Sequence, residues 1–316
     1  MPLLQARHLA ISTLIDDRSL FPVSHLYGAF ETTGPRDSVF AQKNINPSLK
    51  SLEPRYEDSL EKVLMDATLA VLQTTRKWHY FAPPKHFQPG HVPSWIIDFT
   101  SDLDAWRMRP MLYNSALGAT LRVRFEQANS LVTAACLASP VLWVSNQATY
   151  HRPYSLAAER LSMLASVIRD IAGMMKMPFD ATDPNLLRTI CADSFVLEKV
   201  GLPRRSTEED LSPLHSMMSK ARSHFSSEDE TDQWSIAETL DDDERRALFW
   251  ICTRFDSHAI GITKDGQYGW FPKDAMNGDV VAVLAGSTLP VILRESGTRS
   301  GQPAYRYIGV SYIHGE

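Results

Sequence analysis

Cysteine, phosphate-loop glycines and long apolar runs are what this chain of 316 residues has least of. Its three cysteines, Cys136, Cys191 and Cys252, lie far apart and make no C-x-x-C pair. So odd and sparse a set excludes a zinc knuckle or dithiol redox motif and reads as reduced thiols in a cytosolic protein. No G-x-G-x-x-G and no Walker-type loop is present, which leaves a nucleotide cradle unsupported. There is no G-x-S-x-G elbow either, and Ser287, in AGSTL, falls in a hairpin-turn context instead of a strand-to-helix elbow. Basic residues are outnumbered, 32 Lys and Arg against 37 Asp and Glu, for a formal net charge of -5. That balance argues against nucleic-acid and anionic-membrane partners. The most apolar window, Leu131–Val144, is too short to span a bilayer and carries Ser139-Pro140. The opening MPLLQARHLAISTLIDDRSLF lacks the basic, apolar and small-residue succession of a signal peptide, so a cytoplasmic location is expected.

What remains is ordinary globular material, 44% hydrophobic and 22% charged, in a chain long enough to bury a sizeable core. Residues 1–30 carry Leu3, Leu4, Leu9, Leu14 and Ile15 at irregular helical spacing. From Tyr56 to Thr74 the periodicity is cleaner. Leu60, Val63, Leu64, Ala67 and Val71 share one face, Pro54 precedes the start, and Glu57, Asp58 and Glu61 suit the positive end of the helix dipole. A loop rich in proline and aromatics follows, KWHYFAPPKHFQPGHVPSWIIDF. TLRVRFE, a turn at Asn129-Ser130 and LVTAACLASPVLWVS read as strands; Val123 and Phe125 alternate with charged neighbours, and Ser139-Pro140 predicts a break or bulge.

Ser155 to Met175 is the longest helical pattern, with Ser155 as cap and Pro178 as stop. Asp183-Pro184 opens a shorter helix through Leu186, Leu187, Ile190 and Ala192. Residues 203–235 are polar and serine-rich and read as an exposed, mobile insert. The helix DDDERRALFWICTRF follows, its Phe249 and Trp250 expected in a core. HAIGIT, QYGWF, DVVAVLA, LPVILRE and YRYIGVSYI complete the chain as strands, with Lys264-Asp265-Gly266 and Gly286-Ser287 as turns. The fold class expected is α+β: a small antiparallel sheet or barrel, built from strands before and after a helical middle, with helices packed around it.

Candidate chemistry is thin. His79, His86 and His91 share the proline-rich loop with no cysteine or acid cluster beside them, so packing or surface histidines are the expected reading. The acidic run Asp241, Asp242, Asp243 and Glu244 is better explained as a helix start than as a cation site. Met174, Met175, Trp143 and Trp250 are expected in the core. In PRDSVFA, Arg36 and Asp37 are available for an ion pair as the chain turns into an apolar segment. In GWFPKDAMNGDVVAVLAGSTLPVILRE, Asn277-Gly278-Asp279 is expected to be a tight turn. Gly278 would take positive φ and Asp279 would bond backbone amides.

The ordered set of motifs resembles the fungal heterokaryon incompatibility (HET) domain family, in the region that follows the HET domain proper. GPRDSVFA is similar to that family's D-P-R-D-x-V-F-A, and YEDSLEKVLMDATLAVL stands where it has Y-x-x-S-x-x-x-V-Y-x-x-x-A. PSWIIDF is similar to P-S-W-V-P-D-W. The closing segments resemble G-x-x-P-x-x-x-x-x-G-D-x-V-x-V-L-x-G-x-x-x-P-x-x-L-R and Y-x-x-x-G-x-x-Y-V-H-G. The residues carrying the likeness are Pro35, Arg36, Asp37, Pro93, Trp95, Asp98, Gly269, Pro272, Gly278, Asp279, Gly286, Pro290, Arg294, Tyr305, Gly309, Tyr312, His314 and Gly315. Gly34 replaces the usual Asp, Gln42-Lys43 an expected Leu-Leu-Gly, and Asp98-Phe99 an Asp-Trp.

The likeness covers residues 30–316, and the family's opening Y-x-A-L-S-Y-x-W-G-like segment has no counterpart, so none of the HET domain's functional residues carries over. It implies that 1–30 is the tail of a missing HET domain and 31–316 a HET-associated α+β domain. It implies a non-catalytic recognition or regulatory module of nonself recognition and programmed cell death, acting through a protein partner or the missing HET domain. The signature residues are then structural, and no cofactor or metal is called for. The alternatives are a small-molecule enzyme, hydrolytic or NAD-consuming, and an inactive truncated paralogue.

Overall fold

The computed structural model describes residues 34–43, 46–78, 92–99, 113–126, 130–145, 157–174, 180–195, 204–221, 236–255 and 257–315. In chain order these form α1 (Pro35–Gln42), α2 (Leu60–Thr75), β1 (Val123–Glu126), β2 (Ser130–Thr133), β3 (Ala135–Val144), α3 (Ala157–Met174) and α4 (Pro184–Ile190). β4 (Ser194–Phe195), β5 (Arg204–Arg205), α5 (Glu208–Ala221), α6 (Asp242–Arg254), β6 (His258–Thr263) and β7 (Tyr268–Pro272) follow. β8 (Val280–Leu284), β9 (Val291–Arg299), β10 (Gln302–Val310) and β11 (Tyr312–Ile313) complete the chain. The readings of 1–30, Ser155, Pro178, Met175 and the three loop histidines lie outside the described residues.

The main sheet is antiparallel, in the order β10-β9-β8-β3-β6-β7-β11. Its two outermost strands are one stretch of chain, separated by Ser311 alone. β10 pairs with β9, β11 pairs with β7, and Ser311 N–H donates to Pro290 O at 2.8 Å. The last strand thus runs from one edge of the sheet to the other and closes a small barrel, which removes both outer edges.

Inside the barrel, Val141, Phe271, Val281, Ile292, Ile308 and Ile313 meet Ala275 in one buried cluster. β6 gives this interior Gly261. A Cβ there would lie 2.3 Å from Trp143 O and 2.9 Å from Phe271 Cδ2, so the glycine makes room for the Phe271 ring. The other faces of the same strands carry Ile260, Ile262, Trp270, Ala282, Leu284, Val291 and Leu293, which join the helices in the larger core. This two-sided cover is why these strands read as continuous apolar runs.

The helices form because their apolar stripes match that surface. α2 starts at Ser59, whose side chain accepts from Lys62 N–H, and ends at Arg76 in left-handed conformation. Leu161, Leu164, Ile168 and Ile171 on α3 are buried, each contributing about 2 kcal/mol. α6 opens with a full capping box: Asp241 accepts from Asp243 and Glu244 N–H, and Glu244 returns to Asp241 N–H. The acidic run is a helix start, as its spacing predicts.

Several expectations need amendment. PRDSVFA is a helix with Pro35 in its first turn, not a simple turn, and among the described residues Arg36 and Asp37 make no ion pair; Asp37 accepts instead from Tyr56 O–H at 3.0 Å. α4 ends at Ile190, short of Ala192, because Ala192 and Asp193 take φ of 48° and 42°. Within the segment expected as a polar insert, 204–221 contains β5 and a 14-residue helix whose Met217 and Met218 are fully buried. On α6 the core face is Leu248, Ile251 and Cys252, while Phe249 is 43% exposed beneath the Arg160 guanidinium. Met174 is 41% exposed, at the end of its helix, and Phe125 sits at the surface against the Trp95 ring. The bulge expected at Ser139-Pro140 is present as a register shift between Leu137 and Pro140.

Candidate functional site

Apart from Pro35, Arg36 and Asp37 on α1, the signature residues fall into two sets, and the fold uses both. The first punctuates the barrel. Gly278 has φ 91°, and Asp279 beyond it accepts from Met276 N–H at 2.8 Å and pairs with Arg294. A Cβ on Gly269 would lie 2.8 Å from Tyr312 O, and one on Gly309 would lie 2.7 Å from Pro272 Cγ, so both glycines and Pro272 mark close strand contacts. Gly286, at φ 84°, admits Leu121 and the Arg76 carbonyl against its turn. Ser287 lies in that turn, its hydroxyl given to Leu289 O, and is not a presented nucleophile. The Pro93–Phe99 segment is stitched on by Ile97 N–H to Thr68 Oγ1 at 3.0 Å and by Tyr307 N–H to Ser94 Oγ at 2.9 Å. Trp95 and Asp98 are buried there, whereas Tyr305 is half-buried on β10 and Gly315 is an exposed left-handed turn.

The second set, Tyr312 and His314, reaches a polar cluster between the barrel end and the helices. Its frame is the turn after α4. The two left-handed residues swing Asp193 back so that its N–H reaches Arg188 O at 2.6 Å. The buried Asp193 carboxylate then accepts from Arg188 Nη1 at 2.8 Å, from Arg205 Nε at 2.6 Å and from the Ser206 hydroxyl. Pairing of Ser194 with Arg205 in the β4–β5 bridge holds this geometry, and Arg188 also contacts Glu208. Tyr113 donates to Ala192 O, and its ring lies tilted, 5.3 Å from that of Tyr312, whose hydroxyl lies 3.1 Å from His314 Nδ1. Cys191 Sγ sits 3.3 Å from Arg188 O, and Arg254 Nη2 donates to Ser194 Oγ at 3.0 Å. Trp270 Nε1 clamps α4 from the barrel side by donating to Thr189 O at 2.7 Å.

Electrostatics sort the members by role. Burial pushes the Cys191 thiol up, with Arg254 only partly opposing it, so the sulfur is held as an unreactive thiol. Burial pushes the Tyr113 and Tyr312 phenols far above their ordinary value. His314 is lowered, chiefly by burial and against the pull of Asp193, and is neutral near pH 7. Burial opposes the charge on Arg188, but Glu208 and Asp193 outweigh it and hold the guanidinium charged. The arrangement is a clasp: Arg188 and Arg205 locked onto Asp193, with protonated hydroxyls and thiol around them. Among the described residues no group of three or more His, Cys, Asp or Glu could hold a metal ion. No helix among them is long and apolar enough to cross a membrane.

Arg188, Cys191, Asp193, Arg205 and Arg254 carried no signal in the sequence. They are spread over three elements, and none belongs to the motifs. No family model, curated protein or solved structure matches this chain.

A second surface differs in kind. β3 pairs with β8 from Ala135 to Pro140 but with β6 only from Val141 onward. Ala285 N–H donates to Ala134 O, so alternation turns the N–H and C=O of Ala135 and Leu137 away from β8. Among the described residues no strand pairs with that side of Ala135–Ala138. All four residues are exposed and uncharged, with Leu137 at 46% and Val132 and Leu142 also at the surface.

Proposed function

We propose that this chain is a non-catalytic recognition module of the kind that follows the HET domain in fungal incompatibility proteins, and that it works in the cytoplasm through protein contacts. The observation that carries this reading is the open edge of β3. An uncharged strand segment whose amides point outward, beside Leu137, is chemically suited to accept an extended segment of a protein partner by strand addition. Edges left free for other reasons are commonly guarded by lysine or covered. Two further observations support the reading. The motifs shared with the family, from GPRDSVFA to YRYIGVSYI, lie on one packed body. Their polar side chains are engaged in turns and in the clasp, not gathered about a nucleophile.

Selection from a displayed library of random extended peptides tests it with a defined probe. The expected result is enrichment of apolar, strand-forming peptides whose binding is lost on Leu137→Asp and on Ala135→Pro. The proline removes an outward donor and leaves the β8 ladder intact. Failure to enrich any peptide over an unrelated control protein, or binding that survives both substitutions, overturns the edge as the contact surface. Turnover of NAD or of ester substrates by the purified chain overturns the non-catalytic reading.

A further inference from the structure

Arg254 closes α6 with its side chain 2% exposed. Buried guanidinium groups are ordinarily matched by carboxylates, because an uncompensated charge in the interior costs several kcal/mol. Arg254 has none: among the described residues no carboxylate lies within ion-pair distance of it. The buried carboxylate of the clasp, Asp193, is occupied by Arg188, Arg205 and Ser206. Around the clasp, Arg188 and Arg205 pair with Asp193, Arg188 also with Glu208, and Arg204 with Asp210, and Arg254 alone of these four arginines has no carboxylate partner among the described residues. Two of its nitrogens are used, Nη1 on Trp250 O at 3.0 Å and Nη2 on Ser194 Oγ at 3.0 Å. Nε is buried without a partner. The groups that feel its charge are neutral at pH 7, namely the Cys191 thiol and the Tyr113 and Tyr312 hydroxyls. Burial accordingly pushes the guanidinium below its ordinary value.

We propose that Arg254 holds a small monovalent anion, chloride in the first instance, between the end of α6, the Cys191–Ser194 turn, Tyr113 and Tyr312. The ion supplies the missing negative charge and takes the free Nε–H. It is small because the guanidinium is almost wholly enclosed, and monovalent because a single guanidinium holds it. This inference is independent of the β3 edge.

Anion-dependent unfolding of the intact chain tests it. At constant ionic strength, the melting temperature is expected to rise saturably as sodium gluconate is replaced by sodium chloride, since a ligand bound to the folded state alone stabilises it by mass action. Arg254→Met is expected to abolish that rise. Crystals of the unaltered protein grown in bromide are expected to show anomalous density in contact with Arg254 Nε, a readout that does not need the variant to fold. Equal melting temperatures in chloride and gluconate, or bromide density absent from Nε, would overturn the assignment.

Discussion

Asp279 and Arg294 face each other across the β8–β9 pair as a two-pronged ion pair, Nε to Oδ1 at 2.7 Å and Nη2 to Oδ2 at 2.9 Å. The carboxylate is buried and also caps Met276 N–H, while the guanidinium reaches Asp274 O at 2.7 Å. The hairpin of residues 279–294 is thereby tied at its base, beside the Gly278 turn. Asp279→Ala strands the arginine and the amide together, and a loss of about 3 kcal/mol is expected in urea unfolding. Combined with Arg294→Met the loss should fall well short of additivity, by about 1–3 kcal/mol, which a double-mutant cycle reads directly.

Two glycines, Gly261 in the barrel and Gly173 in α3, are predicted to divide by what a methyl group would strike. Gly261→Ala drives a carbon onto Trp143 O and the Phe271 ring inside the barrel, and a destabilisation of about 1–3 kcal/mol is expected. Gly173→Ala meets nothing within 4 Å and lies in α3, so it should stabilise by up to about 1 kcal/mol through helix propensity. Chemical denaturation of the two variants beside the parent checks the pair, and equal effects would contradict the packing described for Gly261.

Stability is expected to be flat between pH 6.5 and 9 and to fall on both sides. On the acid side His314 is held neutral, so its folded value lies below 6.5. The unfolded chain takes up the proton first, and stability drops as pH falls below 6.5. Glu244 adds a second, lower stage. Burial acts to raise its pKa, but Lys220, Ser216 and the Asp241 N–H outweigh it and hold it below 4.5, so its contribution is present above 4.5 and lost as pH falls through the folded value. On the alkaline side the buried Cys191 thiol resists ionisation, and stability declines as pH rises past 9. Melting temperatures across this range should lose the upper acid stage in His314→Asn and the lower one in Glu244→Gln, which keeps the capping geometry.

Much of this fold can be read from residue pattern. The strand runs on either side of the helical middle, the α6 cap, the Gly278 turn and the Pro140 bulge all follow from local chemistry, which the tertiary structure leaves undisturbed. Where pattern misled, tertiary packing decided. α5 is polar on most of its length, yet a stripe through Leu211, Leu214, Met217 and Met218 suffices to seat it against α6. Phe249 lost its place in the core because Leu248 and Ile251 already occupy that face of α6. The charged part of the clasp could not be read at all. An arginine closing a helix looks like a partner for the dipole, and nothing near Arg254 in sequence marks it as buried. Its setting is made by Tyr113, Cys191 and Tyr312, brought together only when β11 closes the barrel.

Backbone hydrogen exchange at Ala135 and Leu137 bears most directly on recognition through β3. Their outward amides are predicted to exchange quickly in the free chain and to become protected when a selected strand-forming peptide binds, with Cys136, bonded toward β8, changing little. Unchanged exchange at both positions in the saturated complex, with protection appearing on another surface, would contradict strand addition at this edge.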